Sequence, residues 1–232
     1  MDLIRLQSGL QRVDEALGGG LFGGEITLIY GEPGTGKTSL TLRITLNGCI
    51  QGLKTLYFYT DGLFPYPKLE ILTRRLGIHL EKVHLDVMHL NYFNDVERVV
   101  REVELGLYDE YDILAFDTYT GPYRSIPVRE KQTIIKHNKK LNQLTAILKS
   151  YVLNTNKHIV LTSRLKSPGI TEESLFDEPI ASNVLTYWSD NIILLARSEL
   201  PLQRRVVLQK AHGLEVNFEI QAQMIGGCIE EV

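Results

Sequence analysis

The stretch LIYGEPGTGKTSL, Leu28 to Leu40, constrains this chain more than any other. Gly31, Gly36, Lys37 and Thr38 satisfy G-x-x-x-x-G-K-[ST] at every fixed position. The run EITLIY (25–30) before it reads as a strand, and SLTLRITLNGCIQ after it carries a helical pattern. Glycines let backbone N–H groups turn inward towards phosphate oxygens, and the helix N-terminus adds its dipole. The pattern predicts a nucleotide site made by Gly31, Glu32, Pro33, Gly34, Thr35, Gly36, Lys37, Thr38 and Ser39. Lys37 is expected to reach the β- and γ-phosphates of ATP, and Thr38 to ligate Mg²⁺.

The rest of the chain supplies a fold around that turn. Short apolar runs recur as TLYFYT (55–60), VHLDVM (83–88), DILAFD (112–117), HIVLTS (158–163) and NIILLA (191–196). Most are continuous rather than alternating, as strands covered on both faces are. Between them lie helical patterns; in 129–153, Ile134, Ile135, Leu141, Leu144, Leu148 and Val152 recur mostly at three- and four-residue steps. This alternation predicts an α/β fold, a mostly parallel twisted sheet flanked by helices. QRRVVLQKA and VNFEIQ then read as a C-terminal β-hairpin. At 232 residues and 44% hydrophobic, the chain is expected to form one domain, 1–232.

A net charge of −3 excludes a chain-wide basic footprint for nucleic acid. Cys49 and Cys228 match no metal-ligand spacing and read as reduced thiols. The N-terminal stretch has charges and no apolar central run, so it does not read as a signal peptide. No run of about 18 apolar residues suggests a bilayer span. The expected location is cytoplasmic.

A P-loop needs a second oxygen ligand for magnesium. YDILAFD supplies an apolar strand ending in Asp117, a Walker B pattern. With these residues in view, the chain resembles the RecA/RadA recombinase family, and within it the short archaeal RadA paralogues of the RadB type. LQSGLQRVDEALGGGLFGGEITLIYGEPGTGKTSL is similar to the family's opening segment and Walker A. TLYFYTDGLFPYPKL is similar to the strand and turn carrying its catalytic Glu. DILAFDTYTGPYRS resembles Walker B leading into a first DNA-binding loop, and EKQTIIKHNKKLNQLTAILKSY the long helix after it. IVLTSR resembles the strand ending in the γ-phosphate-sensing Gln. IASNVLTYWSDNIILLARS resembles the segment after a second DNA-binding loop. The resemblance implies a RecA-like P-loop NTPase core with ATP and Mg²⁺ as cofactors. It also implies slow hydrolysis, single-stranded DNA as a weak ligand, and the main recombinase or other repair proteins as partners. A homo-oligomer is compatible with it.

The departures are specific. Walker A begins by residue 31, so neither the family's N-terminal helical domain nor its polymerisation linker is expected ahead of it. Asp61 stands where the catalytic Glu is expected and Arg164 where the sensing Gln is expected. With Lys37 they form the expected catalytic set. Without the family, Asp61 reads equally as a turn acceptor in TDG. Arg124 and Arg129 read as loop cations, and as DNA contacts by family position. Glu172, Glu173, Asp177 and Glu178 make the second loop (166–181) a poor surface for phosphates. Lys210 and His212 match loosely the basic residues that reach a neighbour's nucleotide. Tyr187 and Trp188 read as core or interface aromatics. The alternative function is a KaiC-like signalling or scaffolding ATPase, which shares the opening pattern; the residues after Walker B favour the recombinase reading.

Overall fold

The computed structural model describes residues 5–124, 131–165 and 181–232. In chain order, α1 (Gln11–Ala16) precedes β1 (Glu25–Gly31), which turns into α2 (Lys37–Ile50). β2 (Thr55–Tyr59), α3 (Tyr66–Arg75), β3 (Leu85–His89), α4 (Phe93–Glu104) and β4 (Ile113–Asp117) follow. The short α5 (Gly121–Arg124) and the long α6 (Lys131–Thr155) lead to β5 (His158–Arg164). α7 (Ser182–Trp188), β6 (Asn191–Arg197), β7 (Gln203–Ala211), β8 (Leu214–Ile225) and β9 (Cys228–Glu231) complete the described residues.

These strands form one sheet in the order β3-β2-β4-β5-β1-β6-β7-β8-β9. β1 to β6 run parallel, as the continuous apolar runs predict. Residues alternate between two cores. Ile29, Tyr57, Ile113, Ala115 and Val160 pack on the face covered by α1, α2 and α3. Leu28, Phe58, Leu114, Phe116 and Leu161 pack on the face covered by α4, α6 and α7. β5 lies between β1 and β4, so the ends of all three meet along one edge.

The expected C-terminal hairpin is part of a larger unit. β7 pairs antiparallel with β6, β8 with β7, and β9 with β8. Gly226 and Gly227, at φ 56° and 82°, make the two-residue turn between β8 and β9. Positive φ at both positions suits the twist of flanking strands. That glycine pair is the sequence signal for β9. Among the described residues, no helix is long and apolar enough to cross a membrane.

Candidate nucleotide site

The glycine turn after β1 is held from several sides. Gly31 has φ 156°, and a Cβ there would lie 2.1 Å from the Leu195 carbonyl oxygen of β6. Only glycine lets the chain turn this close to its neighbour. Gly36 caps α2 at φ 109° in the left-handed region. Thr35 Oγ1 donates to the Glu32 carbonyl at 2.9 Å. Outside the turn, Arg197 pairs with the Glu32 carboxylate at 3.1 Å and donates to the Pro33 carbonyl at 2.9 Å. Arg204 donates to the Gly34 carbonyl at 3.3 Å. No local pattern signals this arginine brace, because both residues come from strands more than 160 positions away.

Lys37 is buried, and its Nζ donates to the carbonyls of Gly31 at 2.9 Å and Glu32 at 2.7 Å. The ammonium thus lies within the turn where phosphate oxygens would sit. Ser39, read as a nucleotide residue, donates its hydroxyl to the Gly227 carbonyl at 2.6 Å. It pins the β8–β9 turn to the first turn of α2. Lys37, Thr38, Gly34, Gly36 and Pro33 line a cleft of about 330 Å³, with Tyr59, Asp61, Leu63, Lys68, Asp117, Thr118, Arg164 and Met224 among its other walls.

Asp117 ends β4 and is buried. Its Oδ2 accepts from the Tyr57 hydroxyl at 2.7 Å and its Oδ1 from the Thr162 hydroxyl at 2.7 Å. Burial, then the adjoining carboxylate, pushes the Tyr57 phenol well above its ordinary value, so it acts as a donor. The next peptide, Asp117–Thr118, is cis. Thr60 Oγ1 accepts from the Thr118 N–H at 3.0 Å, joining the ends of β2 and β4.

Asp61 lies just past β2 and Arg164 at the end of β5, in register with Gly31. Their side chains pair directly: Arg164 Nη2 donates to Asp61 Oδ2 at 2.7 Å. Arg124 ends α5, but its side chain and all of Arg129 lie outside the described residues, as do Glu172, Glu173, Asp177 and Glu178. Lys210 and His212 have internal partners. Lys210 donates to the Ser189 carbonyl at 2.7 Å. His212 contacts Glu25 at 2.9 Å and the Leu17 carbonyl at 3.0 Å, at the start of β1 rather than its phosphate end. Tyr187 is not a core residue: it is 71% exposed on α7.

The donor set fits a nucleotide with magnesium. A hydroxyl and a carboxylate are hard oxygen ligands of the kind Mg²⁺ takes. Among the described residues, no group of three His, Cys, Asp or Glu could hold a metal by itself. Thr38 and Asp117 would therefore share the ion with phosphate oxygens and water.

Comparison with known proteins agrees with this architecture. The Rad51 family model matches residues 1–226. The DNA repair and recombination protein RadB of Methanosphaera stadtmanae is 32% identical over 216 residues, 90% of each chain. RadB of Halobacterium salinarum is 25% identical, covering 99% of this chain and 96% of its own. The DNA repair and recombination protein RadA of Aeropyrum pernix is 26% identical over 68% of this chain and 54% of its own. The crystal structure of the RadB recombinase superposes with a TM-score of 0.78 at 23% identity, over 98% of this chain and 99% of that one. With a RecA-like fold and a family match over nearly its whole length, the chain belongs to the Rad51 family.

Proposed function

We propose that this protein is an ATP-binding accessory of homologous recombination and DNA repair. It binds ATP with magnesium, hydrolyses it slowly, binds single-stranded DNA weakly, and assists or modulates the main recombinase. The observation that carries this reading is the convergence of Lys37, Thr38, Asp61, Asp117 and Arg164 on one cleft. Family membership and the names of its RadB relatives support the recombination role.

In this reading the Lys37 ammonium exchanges the Gly31 and Glu32 carbonyls for phosphate oxygens. Thr38 and Asp117 hold magnesium, which when bound neutralises developing phosphate charge. Asp61 orients or deprotonates the attacking water, and Arg164 meets the γ-phosphate. Both must first leave each other, and Asp61 is one methylene shorter than Glu. Each requirement slows hydrolysis.

The test is ATP binding and hydrolysis, with and without single-stranded DNA and the cognate recombinase. Slow hydrolysis that responds to either supports the reading. Absence of ATP binding overturns it. Hydrolysis that ignores DNA and recombinase favours the KaiC-like signalling class.

A further inference from the structure

Tyr57 and Thr162 each carry a hydroxyl that packing does not require. The Tyr57 ring is fully buried and meets Phe64 edge-on, with ring centres 5.5 Å apart. Phenylalanine would fill the same space. Thr162 is fully buried in β5, where valine has the same shape. Both hydroxyls go to Asp117, one to each oxygen and each at 2.7 Å. They arrive from β2 and β5, the two strands that flank β4.

A carboxylate gripped at both oxygens is confined to one orientation. Each oxygen can accept more than one hydrogen bond or ligand, so acceptor capacity remains beside each donor. Neutral hydroxyls also leave the negative charge uncancelled, where a lysine or arginine in the same place would oppose a cation. Groups that orient a metal ligand typically alter metal affinity by about 10–100-fold.

We propose that Tyr57 and Thr162 are positioning residues for magnesium, acting by holding the Asp117 carboxylate at both oxygens. The inference rests on the reading of Asp117 as the magnesium carboxylate and goes beyond it by naming what orients that ligand. Asp117 is legible in the sequence but neither partner is, since Tyr57 sits among apolar neighbours, Thr162 precedes Ser163 near the end of its run, and neither local pattern points to Asp117.

The experiment is a Mg²⁺ titration of fluorescent ATP-analogue binding to wild type, Tyr57→Phe, Thr162→Val and Thr162→Ser, with thermal melting of each without nucleotide. Tyr57→Phe and Thr162→Val are expected to raise the half-saturating Mg²⁺ concentration about tenfold. Their nucleotide affinity without Mg²⁺ should stay at the wild-type level. Thr162→Ser keeps the hydroxyl and should keep the wild-type Mg²⁺ requirement. If Tyr57→Phe does not fold, the Thr162→Val and Thr162→Ser pair decides. Folded variants with an unchanged Mg²⁺ requirement overturn the inference alone, leaving the two bonds as satisfaction of buried hydroxyls. Wild-type binding that ignores Mg²⁺ overturns the reading of Asp117 and this inference with it.

Discussion

Arg164 and Asp61 form an ion pair at 2.7 Å that bridges the ends of β5 and β2, passing the end of β4 where Asp117 sits. By family resemblance these two positions are the ones expected to stand in for a catalytic Glu and a sensing Gln. In the structure their side chains meet. A Glu and a Gln would not make this charged contact; Asp and Arg do, and each occupies the other. The side chains are 32% and 47% exposed, so the pair is worth at most about 1 kcal/mol. An incoming phosphate can therefore open it.

Asp61→Asn should free Arg164 for the nucleotide. ATP affinity is expected to rise by up to about fivefold, the equivalent of that same 1 kcal/mol. Hydrolysis should fall by about 10²–10⁴-fold if Asp61 acts on water. Asp61→Glu should retain or raise turnover. Equilibrium binding and single-turnover hydrolysis on the three proteins check this; equal rates in all three would make Asp61 structural.

Lys37→Ala should abolish measurable ATP binding. In the proposed site it removes a charge-assisted contact to each of two phosphates, which should weaken binding by at least about 100-fold. It also removes the ammonium that the Gly31 and Glu32 carbonyls share, leaving them the Leu165 and Thr35 donors. Isothermal titration of ATP against the variant is the measurement, and unchanged affinity would remove the P-loop from the mechanism.

DNA binding should be weak, without sequence preference, and sensitive to salt. Removing one cation that touches a phosphate should lower the log–log salt slope by about 0.7 for a single strand. Arg124→Ala combined with Arg129→Ala should flatten it by up to about 1.4. Fluorescence anisotropy of a labelled oligonucleotide across a salt series gives the slope. An unaltered slope would place the DNA-binding cations elsewhere.

Acid should destabilise the fold through His158. It is buried at the start of β5, and desolvation brings its pKa down to about 4, against a smaller opposing effect of Asp112. The unfolded chain takes up the proton near the ordinary value of 6.5, while the folded one resists it to about 4. Stability from this group is therefore complete above 6.5 and falls as pH drops through that window, by about 3 kcal/mol in total. Denaturant midpoints of wild type and His158→Gln between pH 7 and 4 should differ in slope, the variant being flatter.

Gly31→Ala should destabilise the protein chiefly by crowding backbone. The new methyl would meet the Leu195 carbonyl at 2.1 Å, against backbone that cannot rotate away. The expected cost is about 1–3 kcal/mol. Thermal melting without nucleotide measures it; a wild-type melting temperature would mean that β1 and β6 can part freely.

Some of this protein could be read from residue order alone. The P-loop is contiguous, and its spacing dictates its chemistry wherever it folds. Asp117 was legible because an apolar run ends in a carboxylate. The strand–helix alternation announced an α/β fold, since each element's period depends only on its own residues. Neighbour choice is different. Period-two burial tells which side chains face a core but not which strand lies alongside. Only the tertiary fold places β5 between β1 and β4, bringing Arg164 to Asp61 and the hydroxyls of Tyr57 and Thr162 to Asp117. It also sends Arg197 and Arg204 to brace the glycine turn, and it turns His212 towards Glu25 at the opposite end of β1. These contacts join residues roughly 45 to 190 positions apart. Their partners are selected by the packing of whole strands and helices, which no local pattern encodes.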